Sequence, residues 1–330
     1  MIITRERLIE LGRREATERG ERQRLAAVYL VGSVVEGDPL VGGSADIDLV
    51  LIHNLSPLRP REIVRLSTDV HLDLHHRARA EFEAPRQLRT DPDLGPALCH
   101  SIRLHDPEHF FDWVQASACA QFHHPSNRMA RARALLTRAR TLQRSLSVDD
   151  GWQRRLASAA VDGANAAATL GGQPAHGRRL VPGLRTRLDA LDQLALFAGF
   201  LRVFDADQST GWDLPGWMAH WAKAYDASLE QSEDKVRAPV RRDYFLRAFQ
   251  TLAEADMAEA VVVPLLLTWP ALDAEQVPEV VMADCTGARQ SLYAACGLQD
   301  AKLAERRTRL DAFLDDVELF LEAWGSEHGA

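Results

Sequence analysis

Two short apolar runs, AAVYLV ending at Val31 and DIDLVLI beginning at Asp46, constrain this chain most. Both read as buried strands. The first stops at Gly32-Ser33, and a connection holding Gly37, Gly42 and Gly43 leads to the second. On a strand, Asp46 and Asp48 point to one face, while Ile47, Leu49 and Leu51 point to the other and supply core. Two half-buried carboxylates one strand repeat apart repel each other unless something positive neutralises them.

A third carboxylate completes the pattern. DVHLDLHH alternates with period two and reads as a strand, with His71, Asp73 and His75 on one face and Val70, Leu72 and Leu74 on the other. Asp69, at the entrance of that strand, reads as a turn residue. Three carboxylates on adjacent strands suit a hard cation such as Mg²⁺, and a pair of such ions can clamp a triphosphate. Glycine lets a backbone approach a phosphate closely, and Ser33 adds a hydroxyl donor.

The remaining punctuation predicts an α/β (α+β) domain with a mixed sheet over residues 1–122. TRERLIELGRREATERG reads as a charged helix and PREIVRLS as a short helix opened by proline. DPDLGPALCH reads as a helix, SIRLHDP as a fourth strand and EHFFDWVQASACA as a helix. From 123 to 330 the periodicity is mostly helical, which predicts a bundle-like C-terminal domain. Its segments include NRMARARALLTRARTLQRSL, LRTRLDALDQLALFAGFL and KLAERRTRLDAFLDDVELFLEAW. NAAATLGG reads as small-residue helix packing. In HGRRLVPGLRTRL, Arg178 and Arg179 follow a glycine turn that can aim them at a cleft, for phosphate or acceptor binding.

Composition narrows the function classes. The chain has 330 residues and a net charge of -8, which argues against broad nonspecific binding of nucleic acid. No apolar run approaches membrane-spanning length, and the charged start lacks a signal-peptide core, so a cytoplasmic location is expected. The four cysteines, Cys99, Cys119, Cys285 and Cys296, form no C-x-x-C arrangement, so neither a disulfide framework nor a zinc ribbon is expected.

VGS, SADIDLVLI and VHLDL together resemble the signature of the polymerase-β-type nucleotidyltransferase superfamily. The short interval from Asp48 to Asp73 is similar to that of the antibiotic (kanamycin- and lincosamide-type) and minimal nucleotidyltransferases. The resemblance covers about Val28 to Pro107. It implies that Gly32 and Ser33 hold a nucleoside triphosphate, by default ATP. It implies that Asp46 and Asp48 bind two Mg²⁺ ions and that Asp73 binds one of them or acts as base. The implied reaction moves a nucleoside monophosphate, AMP by default, to a hydroxyl of a small molecule and releases pyrophosphate. A protein- or tRNA-modifying enzyme and a non-catalytic nucleotide-sensing module are the competing expectations. An oligomer is compatible with either.

Overall fold

β1 (Ala27–Val31) and β2 (Ala45–His53) pair antiparallel, with Val31 abreast of Asp48. The end of the first apolar run therefore delivers Gly32-Ser33 to the end of the sheet where the second begins with its aspartates. A computed structural model describes residues 3–37, 39–206, 211–230, 238–272 and 277–330 of the chain. They divide into two compact units.

The described residues up to His124 form the first unit, joined by 238–247 from much later in the chain. A single cut near residue 122 would have left that later segment with the helical half. Besides β1 and β2 the unit contains α1 (Arg5–Gln23), the one-turn α2 (Ser33–Glu36), β3 (Arg61–Arg65) and β4 (Val70–Ala78). It continues with α3 (Pro85–Leu88), α4 (Leu94–Cys99), β5 (Ile102–His105) and α5 (Phe110–Cys119). The five strands form one mixed sheet in the order β3-β4-β2-β1-β5. Only β2 and β4 run parallel; β1 with β2, β1 with β5 and β3 with β4 are antiparallel.

Alternation decides what each face of the sheet meets. Val28, Leu30, Ile47, Leu49, Leu51, Leu72 and Leu74 form one buried face, closed by Leu8 and Ala16 of α1. The opposite face is split. Its apolar part, Tyr29, Val50 and Ile52, packs with Leu88, Leu98, Phe111 and Val114 of α3, α4 and α5. Its other part carries the carboxylates.

Two expectations are corrected in this unit. PREIVRLS does not form a helix: Arg61–Arg65 is β3. A segment this short gains little as an isolated helix, whereas the open edge of β4 offers it a full ladder of hydrogen bonds. A disulfide, Cys99–Cys119, also joins the ends of α4 and α5. The two cysteines stand 20 residues apart, and only the packing of both helices on one sheet face brings them together.

The second unit takes the described residues from Pro125 to 230 and from Ala248 to Ala330, and it is helical. Its early helices are α6 (Pro125–Arg144), α7 (Trp152–Ala168), α8 (Leu180–Asp189), α9 (Leu194–Arg202) and α10 (Leu214–Glu230). α11 (Pro239–Glu254) begins in the first unit and ends in the second. α12 (Ala258–Thr268), α13 (Glu279–Ala295) and α14 (Leu303–His328) complete the chain. The expected continuous helix LRTRLDALDQLALFAGFL is broken into α8 and α9, with Asp192 at a positive φ of 57° between them. The small-residue stripe packs as expected: Ala166, Ala167 and Ala168 are buried on α7. A Cβ on Gly163 would stand 2.5 Å from Leu314, so a small residue is what lets α14 lie close. Among the described residues, no helix is long and apolar enough to cross a membrane.

Candidate active site

Strand register assembles the carboxylates. Asp48 lies abreast of Asp73, and Asp46 abreast of His71, on the parallel pair β2 and β4. One oxygen from each of Asp48 and Asp73 and one nitrogen of His75 lie within 4.8 Å of one another. Asp73 is 1% exposed and Asp46 9%, so neither can rely on bulk water for its charge.

The glycine of Gly32-Ser33 is fixed by Asp48. Gly32 has φ 76° and ψ -158°, a backbone conformation open in practice only to glycine. A Cβ at this position would stand 2.2 Å from Asp48 Oδ2. The chain can pass this close to the carboxylate only without a side chain. Ser33 follows, and its Oγ is buried with no hydrogen-bond partner among the described residues. Arg5 of α1 holds the turn from below, donating from Nε to the Val34 carbonyl at 2.7 Å and from Nη2 to that of Val35 at 3.0 Å. Such bonds satisfy carbonyls that a one-turn helix leaves open.

The positive partners of the carboxylates are side chains that no sequence motif marks. Arg61 of β3 grips Asp73 with two donors, Nε to Oδ1 at 2.7 Å and Nη2 to Oδ2. Arg241 of α11 donates from Nη1 to the same Oδ2 at 2.8 Å. Tyr244 donates its hydroxyl to Asp46 Oδ2 at 2.6 Å and sets its ring edge-on to His71. Arg247 pairs with Asp69 at 2.5 Å, so Asp69 serves as an anchor for α11. Arg241, Tyr244 and Arg247 recur every three residues and share one face of the helix. Gly42 admits this helix closely: its φ is 61°, and a Cβ there would stand 2.5 Å from the Arg247 carbonyl oxygen.

Reading Arg61–Arg65 as a strand would have placed Arg61 opposite His75, the register that is observed. No local signal could have found Arg241 and Tyr244, which lie 168 and 198 residues from their aspartates. Of the expected site residues, Gly32, Ser33, Asp46, Asp48 and Asp73 converge at one end of the sheet. Arg178 and Arg179 belong to the second unit, on the 3-10 turn Gly177–Arg179, with Arg178 buried. Of the histidines of β4, His71 and His76 are buried. His76 shares a 2.9 Å hydrogen bond with His53 on the α1 side of the sheet.

The three carboxylates are not equally compensated. Burial pushes the Asp73 carboxyl up, but the Arg61 hydrogen bonds and charge, with His75 and Arg241, outweigh it and hold it at about 2. Asp48 goes the other way: burial, then the charges of Asp46 and Asp73, raise it well above the usual carboxylate range. His75 Nε2 stands 4.0 Å from its Oδ1. Burial lowers His75 to about 4 and leaves it neutral near pH 7. Two guanidinium groups therefore face three carboxylates, and the shortfall falls on Asp48. This uncompensated, oxygen-rich corner fits a divalent cation held by Asp46 and Asp48.

Acid sensitivity follows from Asp73. Its folded pKa lies below the ordinary value, so its stabilising contribution is present above about pH 4 and is lost as the pH falls toward 2. The contribution amounts to roughly 2 kcal/mol. In acid titrations followed by near-ultraviolet circular dichroism, Arg61→Gln is expected to unfold at a higher pH than the wild type. Coincident curves would show that the pair contributes nothing.

No protein-family model matches the chain, and no curated protein matches it.

Proposed function

We propose that the first unit is the catalytic unit of a magnesium-dependent nucleotidyltransferase. The observation that carries this reading is the contact of Gly32 with Asp48. A backbone forced into a glycine-only conformation against an uncompensated carboxylate, next to a buried hydroxyl without a partner among the described residues, is costly unless a ligand uses all three. The order of these features along the chain, which resembles the polymerase-β-type superfamily, supplies the ligand class.

In this reading Asp46 and Asp48 hold Mg²⁺, which when bound would screen the phosphates and draw charge from the α-phosphoryl group. Gly32 leaves room for the triphosphate and Ser33 donates its hydroxyl to it. A hydroxyl oxygen of the acceptor forms a bond to the α-phosphorus and gives up its proton to solvent water. The bond from that phosphorus to the bridging oxygen breaks, and pyrophosphate leaves. The low pKa of Asp73 supports a ligand's role for it over that of a base, because a carboxyl held at about 2 accepts protons poorly at neutral pH. ATP is the default donor, and a small hydroxylated molecule is the acceptor class.

The test is pyrophosphate release from each of the four ribonucleoside triphosphates with Mg²⁺, against pools of aminoglycosides, other hydroxylated metabolites, tRNA and cell protein. Release with a small-molecule pool supports the reading as stated. Release only with tRNA or protein moves the acceptor to a macromolecule. Triphosphate binding with no release in any pool favours a nucleotide-sensing module.

A further inference from the structure

We propose that Arg241 is an exchangeable partner of Asp73, occupying that carboxylate while the site is empty of nucleotide and moving its charge to the triphosphate when a divalent cation arrives. This deepens the nucleotidyl-transfer reading above and rests on it.

The two guanidinium groups on Asp73 are held very differently. Arg61 stands on the adjoining strand, where Ile63 pairs with Asp73, and it uses two donors on two carboxylate oxygens. That is the planar, two-point grip that fixes a carboxylate in place. Arg241 makes one hydrogen bond to Asp73, at 2.8 Å, on an oxygen that Arg61 already uses. Its guanidinium carbon lies 5.5 Å from the centre of the Phe245 ring on its own helix, a cation–π contact made in the same position.

Charge makes the exchange necessary. A cation at Asp46 and Asp48 would lie close to Asp73, because oxygens of Asp48 and Asp73 already fall within 4.8 Å of each other and of a His75 nitrogen. A divalent ion and two guanidinium groups around one corner repel strongly where water is scarce. The partner with a single bond gives way first. A triphosphate brought in with the cation offers Arg241 oxygens that match its donor fork. Arg61 stays as a positioning residue and keeps its bond to Asp73 Oδ2, which it then no longer shares with Arg241.

Two binding measurements test this without relying on turnover. The first is Mn²⁺ binding to nucleotide-free protein, read from the electron paramagnetic resonance signal of free Mn²⁺. The second is calorimetric binding of inorganic tripolyphosphate at saturating Mg²⁺. In Arg241→Gln the expected result is Mn²⁺ binding about tenfold tighter and tripolyphosphate binding about tenfold weaker. Arg247→Gln removes an ion pair that docks the same helix, so it reports what loss of docking alone does. It is expected to leave both constants near those of the wild type. If the wild type binds both probes and Arg241→Gln changes neither constant, or only one, the exchange is overturned and the nucleotidyl-transfer reading survives. The exchange is likewise overturned if Arg247→Gln shifts both constants as Arg241→Gln does. A wild type that binds neither probe overturns both the reading and the exchange.

Discussion

Asp48→Asn is expected to lower nucleotidyl transfer by about 10³-fold while making the metal-free protein more stable. The two effects have one cause. Burial and the neighbouring charges of Asp46 and Asp73 raise the Asp48 carboxyl well above its ordinary range, so the ionised form is a liability without a cation. The sign follows from a raised folded pKa. Stability contributed by the protonated carboxyl is complete below the ordinary carboxylate value and is lost as the pH rises through the raised one. Thermal unfolding in a chelating buffer should therefore give a Tm that falls as the pH rises toward neutrality. Asp48→Asn should flatten that slope. Mg²⁺ should raise the wild-type Tm by mass action and leave the variant unmoved. A variant that is less stable than the wild type in the chelator, with its slope intact, would show that Asp48 is already neutralised by the protein.

Gly32→Ala is the second large effect. The alanine would hold a backbone conformation that L-residues avoid, at roughly 1–3 kcal/mol, and would drive its methyl into the Asp48 carboxylate. We expect a loss of about 3 kcal/mol in denaturant unfolding and a fall in transfer of about 10²-fold or more, since small displacements of a reacting group cost that much. The double variant Gly32→Ala with Asp48→Ala separates the two contributions. Removing the carboxylate relieves the clash and should return part of the stability, leaving the backbone strain. Strictly additive stability losses in the double variant would mean that the two residues do not meet.

Much of the carboxylate corner was legible in the chain because successive side chains on a strand alternate strictly in direction. Alternation placed Asp46 and Asp48 on one face and Asp73 with His71 and His75 on another strand's equivalent face, and the observed register pairs them. β3 was misread because five residues carry too little pattern to separate a strand from a helical turn, and an unpaired neighbouring edge decided the outcome. The disulfide was invisible for a related reason: cysteine spacing reports connectivity only once it is known which helices share a sheet face. The part of the site supplied by α11 left no local trace. Arg241 and Tyr244 are ordinary residues in a helical segment, and their partners lie in strands far away in sequence. Long-range charge pairing is a property of the folded chain. Side chains therefore neutralise the buried aspartates only in part, and Asp48 is the one they leave over.

The place of α11 in the chain has a consequence for biosynthesis. Asp46, Asp48 and Asp73 leave the ribosome early, whereas Arg241 and Tyr244 emerge only after a further 168 residues beyond Asp73. At usual elongation speeds that delay is on the order of ten seconds. Throughout it the nascent sheet carries its acidic corner without two of its eventual partners. Until then Asp73 has Arg61 for a partner but not Arg241.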